Sequence, residues 1–149
     1  MKISYDELNE KRNLILARYG NEEKPSNKKL YAVQKWNKGA SKGMQAVQDK
    51  YKVEFEDQKK DIEIETALEI EIVKDGKTVK QLVLNDKGDY TYSKEGEKER
   101  YKLLAALSRE TDEKIKKEEI EFEPYLIDNE FLKEESEFII EELKGIFIK

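Results

Sequence analysis

The sequence predicts an α+β fold: a long N-terminal helical arm, and a small antiparallel β-meander or hairpin covered by two C-terminal helices. Three observations predict it. A polar, proline-free stretch from Ser26 to about Leu68 spaces its apolar residues at three and four. A strict Ile/Glu alternation closes that stretch, and an Asp-Gly pair then separates two apolar runs. A chain of 149 residues suits one small domain with an arm, divided as an arm over 1–66 and a head over 67–149.

The first helix is expected from Tyr5 to about Tyr19. Ser4 and Glu7 form a capping box, and Ile3 and Leu8 are placed as a hydrophobic staple. Its inner face is Tyr5, Leu8, Arg12, Ile15, Leu16 and Tyr19, only partly apolar. Gly20 is expected to end it at positive φ, and residues 21–25 form a short linker. Ser26 follows Pro25 as the N-cap of the long helix. Leu30, Val33, Ala40, Met44, Val47 and Tyr51 make a narrow stripe, with Asn37 in its one gap and Trp36 beside it. Gly39 and Gly43 mark either a small-residue notch for close helix packing or a break. As a phosphate cradle they lack P-loop spacing and follow no apolar strand.

The helix is expected to run to Asp61–Thr66 and give way to a strand from about Leu68 to Val73. Asp75-Gly76 supplies the positive φ values of a two-residue type I′ turn, and the return strand runs from Thr78 to Leu84. A second turn at residues 85–88 leads to a short third strand, Asp89 to Tyr92. Ser93 caps a helix expected over Lys94–Arg109, burying Tyr101, Leu104, Ala105 and Leu107. A polar connection, Glu110–Glu118, precedes a strand over Glu119–Glu123 that Pro124 stops. The last helix is expected from about Glu130 to Lys144, capped by Asp128 or Asn129. Its face is Phe131, Leu132, Glu135, Phe138, Ile139, Leu143 and Ile146. Gly145 breaks it before Ile146-Phe147-Ile148, an apolar end packed down or offered to a partner.

Composition narrows the chemistry. The chain has no cysteine, which removes disulfides, zinc-thiolate sites and thiol nucleophiles. It has no histidine, the usual general base near neutral pH and the commonest metal ligand. No signal peptide or bilayer-spanning run is present, so a soluble protein of the cytoplasm (of a host cell) or of a virion is expected. The net charge of −5 is uneven. Residues 1–60 hold 14 Lys and Arg against 9 Asp and Glu, whereas residues 61–149 hold 15 against 25. That is a solvated arm and head, or two surfaces that attract each other within or between chains.

Lys28 or Lys29, Lys35, Lys38 and Lys42 line the arm with Tyr31 and Trp36 between them. Cations interleaved with rings bind nucleic acid, phosphates by charge and bases by stacking. The bland alternative is a solvated helix with Trp36 packed on a neighbour, and the arm has no arginine there to read bases. The pairs Glu118-Glu119, Glu134-Glu135 and Glu141-Glu142 offer oxygen ligands to Mg²⁺ or Ca²⁺, with solvated helix faces as the favoured reading, and residues 85–89 lack the ligands of a calcium loop. No carboxylate pair is specific enough for a hydrolase. Neither catalytic residue, cofactor nor metal is expected, and no small-molecule substrate is evident.

The order of elements resembles small tailed-phage proteins of unknown function encoded near structural genes: a short helix, a long charged helix, a hairpin, Asp89 to Tyr92 leading into a helix, and an acidic last helix. The resemblance covers most of the chain and rests on layout and composition. It implies an assembly or virion-associated role and carries over no functional residue. The expected function is therefore that of a structural or interaction protein and not an enzyme. Its partner, or a second copy, would be bound through Leu30, Val33, Trp36, Met44, Val47 and Tyr51. The alternatives are a nucleic-acid-associated protein using Lys35, Lys38 and Lys42 within the Lys28–Lys52 surface, or an inhibitor of a host protein.

Overall fold

The computed structural model describes residues 1–20, 27–128 and 135–149. It is α+β. In chain order come β1 (Lys2–Ser4), α1 (Tyr5–Tyr19), α2 (Asn27–Thr66), β2 (Glu69–Lys74), β3 (Lys77–Leu82), α3 (Lys94–Lys117), β4 (Glu119–Glu121) and α4 (Glu137–Leu143). Two two-stranded antiparallel sheets form, β1 with β4 and β2 with β3. The contacts group into two compact units, residues 1–49 with 114–149, and residues 50–113.

In the first unit, Ser4 starts α1. Its hydroxyl accepts from the Glu7 amide at 3.2 Å, and Ile3 and Leu8 are buried as the staple requires. Leu8, Ile15 and Tyr19 are the buried residues of α1. Gly20 corrects the expectation of a left-handed cap: its φ is −73°, and its amide donates to the Leu16 carbonyl as one more helical turn. Ser4 also ends β1, which pairs Lys2 with Glu121, Ile3 with Ile120 and Ser4 with Glu119. Met1 and Phe122 extend this ladder by exchanging backbone hydrogen bonds.

α2 runs unbroken through Gly39 and Gly43. The notch at these glycines serves a strand and the residue after it, not a helix. A Cβ on Gly43 would lie 2.7 Å from the Ile120 Cγ2, and one on Gly39 would lie 3.5 Å from the Phe122 ring. β4 is thus held along its edge by β1 and at the Ile120 side chain by α2. The residues expected to cap α2 and to begin the last helix, Ser26 and Asn129 to Glu134 with Phe131 and Leu132, lie outside the described residues. Within them, α4 starts at Glu137 on a Ser136 cap. Gly145 has φ +78° and turns the chain sharply. Ile146, Phe147 and Ile148 are then buried. The Ile127 amide donates to the Phe147 carbonyl and the Lys149 amide to the Ile127 carbonyl, each at 2.9 Å.

The second unit is built on the hairpin. Asp75 and Gly76 have φ of 55° and 76°, the type I′ geometry that matches strand twist. Ile72 pairs with Val79 and Ile70 with Gln81. The third strand of the expected meander is reduced to one bridge, Leu84 with Tyr90, and flanking hydrogen bonds from Thr91 to Val83 and from Leu68 to Thr91. Asn85 holds the intervening turn, its side-chain oxygen accepting from the Lys87 and Asp89 amides. Ser93 caps α3 through the Gly96 amide. Gly96 is required there, since a Cβ would stand 2.6 Å from the Thr66 carbonyl oxygen.

α3 continues eight residues past Arg109, through the stretch read as a connection. That stretch contains no Gly or Pro, and its Glu and Lys residues are good helix formers. Of the residues expected to be buried, Leu107 is, Leu104 is half-buried, and Tyr101 and Ala105 are exposed. The hairpin faces are also mainly exposed, contrary to the expectation that helices would cover them.

The two glycines of α2 provide a paired test of the packing. Gly39→Ala removes backbone freedom without a clash and is expected to stabilise by about 0.5–1 kcal/mol. Gly43→Ala gains the same term but overpacks Ile120, costing about 1–3 kcal/mol, for a net loss. Urea unfolding of both variants decides it; equal and positive effects would mean that α2 does not approach β4 as described.

Candidate functional site

The stripe expected to bind a partner is largely consumed within the chain. Val33, Trp36, Met44 and Val47 are buried, joined by Ala32 and Ala40. Trp36, 1% exposed, donates its indole N–H to the Ile146 carbonyl at 2.6 Å. It meets Phe122 and Phe147 edge-to-face, with centroids 5.4 and 6.5 Å away. Tyr19 stacks on Phe147 from α1. The remaining two predicted residues fall outside this core, Leu30 being exposed and Tyr51 half-buried. Ile120, Phe122, Ile146 and Phe147 cover this side of α2, so packing within the chain takes up most of the stripe. The polar interruptions are matched as well. Arg12 of α1 donates to the Asn37 side chain at 2.9 Å. Lys11 pairs with Glu142 at 2.8 Å and Arg18 with Glu135 at 2.6 Å. That Glu135 bond raises the Arg18 pKa, leaving the guanidinium charged.

The other face of α2 is basic. Lys35, Lys38 and Lys42 are all exposed. Tyr31 and Tyr125 stand edge-to-face, centroids 5.7 Å apart, and the Lys35 ammonium lies 5.6 Å from one ring and 4.7 Å from the other. A cleft of ≈ 290 Å³ opens beside them, lined by Lys28, Lys29, Tyr31, Tyr125, Asp128 and Lys149 among others. A second, of ≈ 360 Å³, is lined by Tyr31, Gln34, Lys35 and Lys38. Within the first, Lys149 and Asp128 pair at 3.2 Å. Sequence reasoning found these lysines and Tyr31; it missed Tyr125, which nothing local to residue 125 marks as a neighbour of residue 31.

In the second unit, Arg100 lies over the rings of Tyr92 and Tyr101, 4.3 and 5.1 Å from their centroids. Burial lowers its pKa and the two tyrosines raise it, with a net upward shift. Its Nη2 reaches Glu97 at 3.4 Å, and its Nε has no hydrogen-bond partner among the described residues. Glu63, Asp89, Tyr90 and Tyr92 line a cleft with it. Acid and base there are mixed, which suits a structural clamp between the residue 88–92 turn and α3.

Nearby, the hairpin exposes much of its apolar surface. Register places Ile70, Ile72 and Val79 on one face. Ile70 is 48% and Val79 39% exposed, and Val73 on the other face is 76% exposed. Among the described residues no helix is long and apolar enough to cross a membrane, and no three acidic side chains are grouped as a metal site. No family model, curated protein or solved structure matches this chain.

Trp36→Phe keeps a ring in the core but removes the indole hydrogen bond together with part of the packing. It leaves the Ile146 carbonyl buried without its donor and is expected to cost about 1–3 kcal/mol in chemical denaturation. An unchanged unfolding midpoint would mean that Trp36 is a surface anchor and not a core residue.

Proposed function

We propose that this chain is a structural or interaction protein whose contacts are made by residues 50–113, and that its first partner is a second copy of itself. One observation carries the reading. Of the apolar residues buried among the described residues, only Ala67 and Leu107 belong to this unit. A unit of this size normally hides most of its apolar side chains. Here Val53, Ile64, Leu68, Ile70, Val73, Val79, Leu84 and Tyr101 are exposed instead. An isolated two-stranded hairpin is marginal in water and gains stability when its apolar face is covered. A symmetric dimer supplies that cover from the same surface patch on each subunit.

This moves the interaction surface away from the α2 stripe. Within that reading, the role is a small assembly component or adaptor of the kind the phage-like layout implies. The exposed hairpin gives it a natural mode of contact, burying Ile70, Ile72 and Val79 while Glu71 and Lys80 pair across the other face.

Light scattering coupled to size exclusion tests the proposal. The wild-type chain is expected to run as a dimer or larger species, and the double variant Ile70→Glu/Val79→Glu as a monomer with its helix content unchanged by circular dichroism. A wild-type chain that stays monomeric through the micromolar range rejects self-association.

A further inference from the structure

The lysine face of α2 lies in the other unit, on the side of the helix away from the core. At 100° per residue, Lys28, Tyr31, Lys35, Lys38 and Lys42 fall within an arc of about 80°. Val33, Trp36, Ala40, Met44 and Val47 fall on the opposite side, and all five are buried. The basic row is about 21 Å long at 1.5 Å per residue.

Its composition is unusual for this protein. The chain holds 34 Asp and Glu in 149 residues, yet none occurs between Asn27 and Gln48. A face that merely needs solvation mixes both signs, as α3 does with Glu95, Glu97, Glu99, Asp112 and Glu113 among its lysines. Mixing also stabilises a helix, whereas Lys38 and Lys42, at i and i+4, repel. The α2 face forgoes that benefit along its whole first half.

Rings complete the site. Tyr31 is 54% and Tyr125 36% exposed. Tyr31 lines both clefts, so aromatic surface lies between two lysine-lined hollows. Among the described residues the acid bordering the first hollow is Asp128, and it is paired with Lys149. From this arrangement we infer that α2 and Tyr125 form a track for single-stranded nucleic acid. Lys35, Lys38 and Lys42 neutralise successive phosphates, and a base stacks on Tyr31. The absence of arginine from the row makes the track indifferent to sequence, since bidentate readout of base edges is missing. A duplex offers no unstacked base to the ring, and a membrane surface calls for an apolar face that this side of α2 lacks. The site is independent of the hairpin and does not rest on self-association.

Fluorescence anisotropy with a labelled twelve-nucleotide oligothymidine tests it. Binding is expected at low salt, with three to four phosphates neutralised. Affinity should then fall by about 10²–10³-fold for each tenfold rise in salt, from a slope of about −0.7 per phosphate contact. The exposed triple variant Lys35→Glu/Lys38→Glu/Lys42→Glu should abolish binding. Tyr31→Ala should weaken it by about 5–150-fold with the salt slope unchanged. Lys98→Glu/Lys102→Glu on α3 should leave it intact, and circular dichroism verifies folding of each variant. No binding at low salt, equal loss in the α3 variant, or tighter binding to a duplex of the same length each overturns the proposal. So does binding to phosphatidylserine vesicles without binding to the oligonucleotide. An unaffected Tyr31→Ala variant overturns the stacking and with it the preference for single strands.

Discussion

The burial of Trp36 against Phe122 and Phe147, with its N–H closed on the Ile146 carbonyl, is the contact on which the first unit depends. A helix of 40 residues this rich in charge has little to hold it except one apolar face, and helices in proteins take most of their stability from such packing. That face is covered by residues from β4 onward, 110 positions away at the tryptophan hydrogen bond. Other long-range ties converge on the same core. β1 clamps β4, α1 lays Leu8, Ile15 and Tyr19 into it, and Gly145 turns Ile146 to Ile148 inward. The unit therefore closes only when residues 1–49 and 114–149 meet, so its order is set by non-local contacts.

Much of the local structure was legible because local chemistry decides it. Ser4, the Asp75-Gly76 turn, Ser93 and Gly145 act through their own hydroxyls or φ angles, and each cap or turn stands where its residues place it. Both ends of the hairpin and the change from helix to strand near Thr66 came from periodicity. Gly20 departs from the expected left-handed cap because glycine permits positive φ without requiring it. α3 outruns its expected end because a run of charges resembles a loop, although Glu and Lys sustain helices as well as they solvate turns.

What the sequence could not convey is which surface covers which. The α2 stripe announced that something packs on it, but nothing in residues 30–51 distinguishes another chain from residues 120–148. The two polar positions that spoiled the apolar faces, Arg12 and Asn37, are legible only together: each looks like a defect until they are seen to bond. The change from helix to strand spacing suggests a boundary near residue 66, while contacts group the chain at 49 and 113, because a change of secondary structure and a change of packing neighbours are different things. Tyr125 joined Tyr31 for the same reason, through a fold that no spacing rule encodes.

The change in composition along α2 follows the change in its support. Up to Gln48 the helix is anchored by a buried face and carries lysines without acids. From Lys50, where the second unit begins, burial becomes shallow and acids mix with lysines, placing Glu56 four residues before Lys60. A helix with a deep core can tolerate like charges on its outer side, since the few tenths of a kcal/mol lost per repelling pair are small beside a buried tryptophan worth about 3–5 kcal/mol. A shallowly packed helix has no such margin, and opposite charges at helical spacing suit it better. The acid-free face thus stands where the fold can bear its cost, and tolerance alone does not create it: neutral or paired residues would have been more stable in the same place. A local choice that runs against stability, on a surface with exposed rings beside it, is where binding is expected to be written.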